Sequence, residues 1–150
     1  MTENIIIERA EFPYPYEYLK QIAIMHQTEI SQGFISTLGT NFLIKLYSSI
    51  IKSHYSFLII ARIENQIIGF LAGSLDTAKV YKHFIFRHGL FILPVLIPRL
   101  ISVSNILKVI ETLLYPHKPE ILNLPSAEIL NFCVSNAIQR KGVGKDIFSF

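Results

Sequence analysis

The stretch whose residue types could do chemistry is Ala127 to Phe150, AEILNFCVSNAIQRKGVGKDIFSF. Glu128 to Val134 reads as a buried strand, and residues 135–138 after it are mostly small or polar. Gln139-Arg140-Lys141-Gly142-Val143-Gly144-Lys145 comes next, with an apolar pattern resuming at Ile147 and Phe148. A strand that runs into a basic, glycine-bearing turn opening a helix is suited to phosphate. The first amides of a helix have no partner within it, and its dipole makes that end attractive to anions. Glycine lets the backbone approach the ligand without a side chain between them. The same residues also fit an ordinary strand–turn–helix whose turn happens to be basic.

Other reactive types are sparse. Cys133 is the single cysteine, which excludes an internal disulfide and a multi-cysteine zinc site. Nothing basic stands at fixed spacing to activate it, so it reads as core packing. His26, His54, His83, His88 and His117 are scattered without ligand spacing, and no metal is expected. Tyr14, Tyr16, Tyr47, Tyr55, Tyr81 and Tyr115 read as core or rim aromatics.

Gln139-x-x-Gly142-x-Gly144, placed after an apolar strand that begins with a glutamate, resembles the Q/R-x-x-G-x-G/A signature of the GCN5-related N-acetyltransferases, the GNAT superfamily. The resemblance implies transfer of an acetyl group from acetyl-coenzyme A (acetyl-CoA) to a small-molecule or protein amine. The turn, Gln139, Arg140, Lys141, Gly142, Val143, Gly144 and Lys145, would hold the pyrophosphate. Phe132 and Val134, with Cys133 between them, would pair through their backbone with the pantetheine arm, as one strand does with another. An amide near Val134 would polarise the thioester carbonyl. Acetyl transfer also needs an unprotonated amine, hence a base. Glu128 begins the strand at a position similar to that of the catalytic glutamate in some members, where burial beside a cleft would tune it for proton transfer. The competing reading makes Glu128 a strand-end carboxylate facing solvent or pairing with a basic residue. The alternative functions are a GNAT-like module that binds coenzyme A or a protein without catalysis, and a membrane-surface accessory protein acting through a basic insert at residues 77–125.

The elements that must position these residues follow in order. Asn4 to Arg9 is a candidate strand rich in isoleucine. Pro15 suits a helix start, and Leu19, Ile22, Ala23 and His26 fall at helical spacing, predicting a helix from Tyr16 to about Thr28. After a loop at Ser31-Gln32-Gly33, a second helix is expected from about Ile35 or Gly39 to Lys52, facing inward through Phe42, Leu43, Leu46, Tyr47 and Ile50. Phe57–Ile63 and Gln66–Leu75 read as a hairpin turning at Glu64-Asn65, with Gly69 and Gly73 marking a bulge or a close approach. Strand, two helices and a hairpin is the opening order of the GNAT fold. The stretch from Glu29 to Phe34, continuing to Gly39, looks like the helix connection that shapes the family's acceptor site. The expected class is therefore α+β: a three-layer, GNAT-like, mixed but mostly antiparallel sheet flanked by helices. It would form one domain over residues 1–150, with a helical insertion at 77–125 before the central strand Glu128–Val134. The insertion is expected to hold helices around Lys79–His88 and Pro98–Leu114, closed by Pro116, Pro119 and Pro125.

By the resemblance, a fifth strand, a helix and closing strands would follow Phe150, so the domain is expected to be truncated, with an unpaired apolar sheet edge that invites homo-oligomers and with weak or no turnover alone. No carboxylate stands between Asp76 and Glu111, whereas Lys79, Lys82, Arg87, Arg99 and Lys108 do. Such an insert suits an extra wall over the acceptor site, an anionic membrane surface, or simple packing with solvated charges. The net charge of +3 and the pI of about 9.0 do not argue for nucleic acid. Hydrophobic residues make up 51% and the mean hydropathy is +0.41, yet no apolar run is long enough to span a bilayer. With no secretory leader pattern at Met1-Thr-Glu-Asn, the expected compartment is the cytoplasm.

Overall fold

A computed structural model describes residues 4–96 and 127–150. Its centre is a sheet of four strands in the order β1-β2-β3-β4, formed by β1 (Ile5–Arg9), β2 (Ser56–Ile63), β3 (Gln66–Ser74) and β4 (Glu128–Val134). Every pairing among the described residues is antiparallel, in keeping with the mostly antiparallel sheet expected from the sequence. β2 and β3 form the expected hairpin. Glu64 in its turn is left-handed, with φ 50°.

Helix α1 (Tyr16–Glu29) and helix α2 (Thr40–Lys52) cover one face. Leu19, Ile22, Ala23 and His26 recur one helical turn apart and are all buried, so α1 presents a continuous inward stripe. Leu43, Leu46, Tyr47 and Ile50 do the same for α2 and meet Leu58, Ile60, Phe70, Ala72 and Cys133 from the sheet. The second helix does not run unbroken from Ile35: a 3-10 turn at Ile35–Leu38 ends at Gly39, whose φ of 93° breaks the path before α2. Helix α3 (Thr77–Leu96) extends past the expected Lys79–His88 at both ends. Asp76 caps it, its Oδ1 accepting the Lys79 amide at 3.1 Å. The helix expected over Pro98–Leu114 and the closing prolines lie outside the described residues.

On the opposite face the short helix α4 (Val143–Ser149) buries Val143 and Ile147 against Ala61, Ile68 and Leu71. Two register shifts crease the sheet, one on β2 and β3 near Ala61/Arg62, the other on β3 and β4 near Ala72/Gly73. Gly69 and Gly73 mark close approaches beside them. A Cβ on Gly69 would stand 2.9 Å from Ile147 Cδ1, and one on Gly73 would stand 2.2 Å from the Phe57 ring.

β4 is less buried than the sequence suggested, although its place at the sheet edge fits the expected unpaired edge. Among the described residues it is an edge strand on which Cys133 alone is buried, while Glu128, Ile129 and Phe132 are exposed. Its apolar run is shared between the two faces of the sheet, and only one of these lies beneath α1.

Candidate functional site

The last turn of α1, the end of β4 and the turn into α4 enclose an open cleft of about 520 Å³. That volume is within the range of small-molecule sites. Thr28, Glu29 and Ile30 form one wall. Phe132, Cys133 and Val134 lie at the base, and Asn136, Ile138, Gln139, Arg140, Val143 and Gly144 form the other wall.

Local rules explain the turn. Ser135 N–H donates to Ile68 O at 2.9 Å, the last rung of the β3–β4 ladder. Alternation along an antiparallel strand then points the backbone N–H and C=O of Val134 and Phe132 away from β3, to the open edge. The Val134 carbonyl accepts Gln139 Nε2 at 3.1 Å. The same Nε2 donates to Asn136 Oδ1 at 2.7 Å, around a 3-10 turn at Asn136–Ile138. Asn136 Nδ2 in turn donates to Glu29 Oε2, tying the turn to α1. Arg140 and Gly142 are both left-handed, at φ 65° and 88°, and Gly142 caps α4. At Gly142 a side chain would have space, so the backbone angle is what favours glycine there. Gly144 is different: a Cβ on it would come within 3.3 Å of the Phe132 ring.

Of the residues singled out in the sequence, Phe132, Cys133, Val134, Gln139, Arg140, Val143 and Gly144 are thus brought to one cleft. Lys141, Gly142 and Lys145 are exposed on the same turn but outside its lining. Glu128 stands apart at the far end of β4, paired with Ser74 in register. The expected burial is absent there: Glu128 is exposed, and its Oε2 accepts Thr77 Oγ1 at 3.2 Å.

Burial and the nearby Glu29 charge push the Cys133 thiol up to about 11, so it is a packed thiol rather than a nucleophile. Beneath the cleft wall, His26 Nδ1 and Tyr47 OH share a hydrogen bond of 2.6 Å, and both residues are fully buried. Burial lowers the His26 pKa from its ordinary value and raises that of Tyr47. The carboxylate at the cleft is Glu29, not singled out in the sequence, where it opened a longer connecting stretch. No local pattern links it to Asn136, 107 positions away. Among the described residues no cluster of three or more His, Cys, Asp or Glu side chains could hold a metal ion, and no helix is long and apolar enough to cross a membrane.

No family profile matches the chain, and no curated protein matches it by sequence. Solved structures do match. An aminoglycoside acetyltransferase from an uncultured soil metagenomic sample, in complex with trehalose, superposes at a TM-score of 0.52 with 15% identity. Its complex with sisomicin gives 0.51 at the same identity. Both comparisons cover 97% of this chain and 65% of the other. A protein described as a GNAT-family acetyltransferase, from Desulfovibrio desulfuricans, matches at 0.47 and 9% identity over 97% of this chain and 62% of its own. The chain has the α+β fold of the aminoglycoside acetyltransferase structures and spans 65% of their length.

Proposed function

We propose that this chain carries the acyl-carrier half of an N-acetyltransferase, which moves an acetyl group from acetyl-CoA to an amine. The observation that carries the reading is the cleft itself: a concave space beside β4, closed by a basic turn with left-handed residues at Arg140 and Gly142 and a helix start beyond it. Turns of this kind gather backbone amides into an anion seat. The amides of Arg140 to Lys145 would hold the diphosphate, with the charges of Arg140, Lys141 and Lys145 around it. The outward amides and carbonyls of Phe132 and Val134 would align the arm along the strand edge. When bound, acetyl-CoA supplies the activated thioester.

The chain's own residues then have two tasks. One is to receive a cationic amine, for which Glu29 offers a carboxylate on the wall opposite the turn. The other is to take the proton that the attacking nitrogen must lose. Glu128, solvent-exposed at the other end of β4, is the candidate base and would act through water on an amine that reaches that end of the strand.

Calorimetry with acetyl-CoA tests the reading. Saturable binding is expected, and Gly142→Val should weaken it strongly, because valine does not tolerate φ near 88°. Absence of binding to the unmodified chain would refute the proposal. Glu128→Gln separates catalysis from holding: a base loses on the order of 100-fold in rate with affinity unchanged. Binding without acetyl transfer to any amine favours the alternative, a non-catalytic coenzyme A-binding module, and the place of Glu128 outside the cleft is the observation on that side.

A further inference from the structure

Helix α3 carries a surface that the acetyl-transfer reading does not use. Its inner side, Thr77, Val80 and Phe84, is buried against the domain. Along the opposite pole stand Lys79, Lys82, Phe86 and Leu90, spaced three or four residues apart. Phe86 is 94% exposed and Leu90 84% exposed, with Ile85 and Phe91 exposed beside them. Isolated apolar residues on a surface are ordinary, but several adjoining ones on a single helix mark a contact. The charges around them have one sign. α3 holds Lys79, Lys82 and Arg87 and no carboxylate, and Lys45 of α2 lies 3.9 Å from the centre of the Phe91 ring. Both carboxylates near the start of the helix are engaged, Asp76 by Lys79 at 2.9 Å and Glu128 by Thr77. Lys82 and Arg87 have no ion-pair partner among the described residues.

We propose that this face of α3 docks on an anionic lipid bilayer, with Phe86 and Leu90 entering the acyl boundary and Lys82 and Arg87 meeting the headgroups. Aromatic and aliphatic side chains flanked by unpaired cations are the chemistry of a helix lying in the interface plane. The lack of acidic residues on α3 suits a negative surface and disfavours a second copy of the same basic helix. Each basic residue near such a surface strengthens attachment roughly fivefold.

The test is flotation of the full 150-residue chain with phosphatidylcholine vesicles, with and without about 30% phosphatidylserine. Binding to the anionic vesicles alone is expected, declining as salt is raised. Lys82→Gln with Arg87→Gln should weaken it on the order of 25-fold. Phe86→Ser with Leu90→Ser should reduce it to background, with the far-ultraviolet circular dichroism unchanged because both side chains are exposed. Equal binding to both vesicle types, no binding, or insensitivity to both pairs of substitutions overturns the proposal. So does a concentration-dependent dimer that Phe86→Ser with Leu90→Ser dissolves while vesicle binding is absent. None of these readouts involves acetyl-CoA, so this proposal and the acetyl-transfer reading stand or fall separately.

Discussion

Tyr47→Phe removes one oxygen atom and little else. The ring contacts survive, with Phe70 edge-on at 5.3 Å and the His26 ring at 5.9 Å. What disappears is the 2.6 Å hydrogen bond to His26 Nδ1, and His26, 1% exposed, is closed to bulk solvent. Stranding a buried polar group costs about 1–3 kcal/mol. In a chain of this size that lowers Tm by roughly 3–10 °C. The consequence reaches the cleft, because the Ile30 amide closes α1 on the His26 carbonyl and Thr28, Glu29 and Ile30 form the cleft wall.

A double-mutant cycle with His26→Leu, read by urea unfolding, isolates the pair. Tyr47→Phe with His26→Leu should be less destabilised than the sum of its parts by about 1 kcal/mol or more, since no polar group is then left unpaired. Additivity to within about 0.5 kcal/mol would falsify the assignment of this bond as the link between α1 and α2. The same histidine sets a pH dependence. Its folded value lies below the ordinary 6.5 because burial disfavours the cation. Between the two values the unfolded chain binds more protons than the folded one. Stability should therefore be complete above pH 6.5 and fall as the pH drops toward the lower value, and His26→Leu should flatten that slope.

Other substitutions probe other parts of the molecule. Gly73→Ala drives a methyl into the Phe57 ring and should destabilise by about 1–3 kcal/mol, with Phe57→Leu restoring part of the loss in chemical denaturation. Ile147→Ala empties a fully buried site under α4 and should lose about 2–5 kcal/mol, with faster hydrogen exchange in residues 143–149. Gln139→Leu frees the Val134 carbonyl and Asn136 from their shared donor. The loss in Tm should be small, because the bonds are exposed, whereas acetyl-CoA affinity should drop about tenfold if one hydrogen bond's worth of ordering, about 1.4 kcal/mol, is lost.

Elements with strong periodicity were legible in the sequence. Leu19, Ile22, Ala23 and His26 announced the inward stripe of α1, and Glu64-Asn65 announced the hairpin. The glycines at 69 and 73 were readable as close approaches, though not what approaches them. β4 misled as to burial because a run of apolar residues looks alike whether the strand is interior or at a sheet edge; neighbours, not composition, decide that. The cleft was half legible: its turn is one continuous motif, but the facing wall at Thr28 to Ile30 comes from more than 100 positions away. The bonds from Gln139 to Val134 and Asn136 depend on the 3-10 turn between them, a conformation that Ser135 to Ile138 do not dictate by type.

The outward edge of β4 has a consequence for inheritance. On the proposed reading, the atoms that would hold the ligand there are main-chain nitrogen and oxygen, which every residue but proline provides alike. Replacement of Phe132 or Val134 by another side chain leaves them in place, so a seat made this way survives almost unlimited drift while its genetic trace fades. That suits a chain whose fold remains recognisable where 15% of residues coincide. Selection on such a seat falls on the positions where the backbone itself is constrained, and Gly142 is one of them.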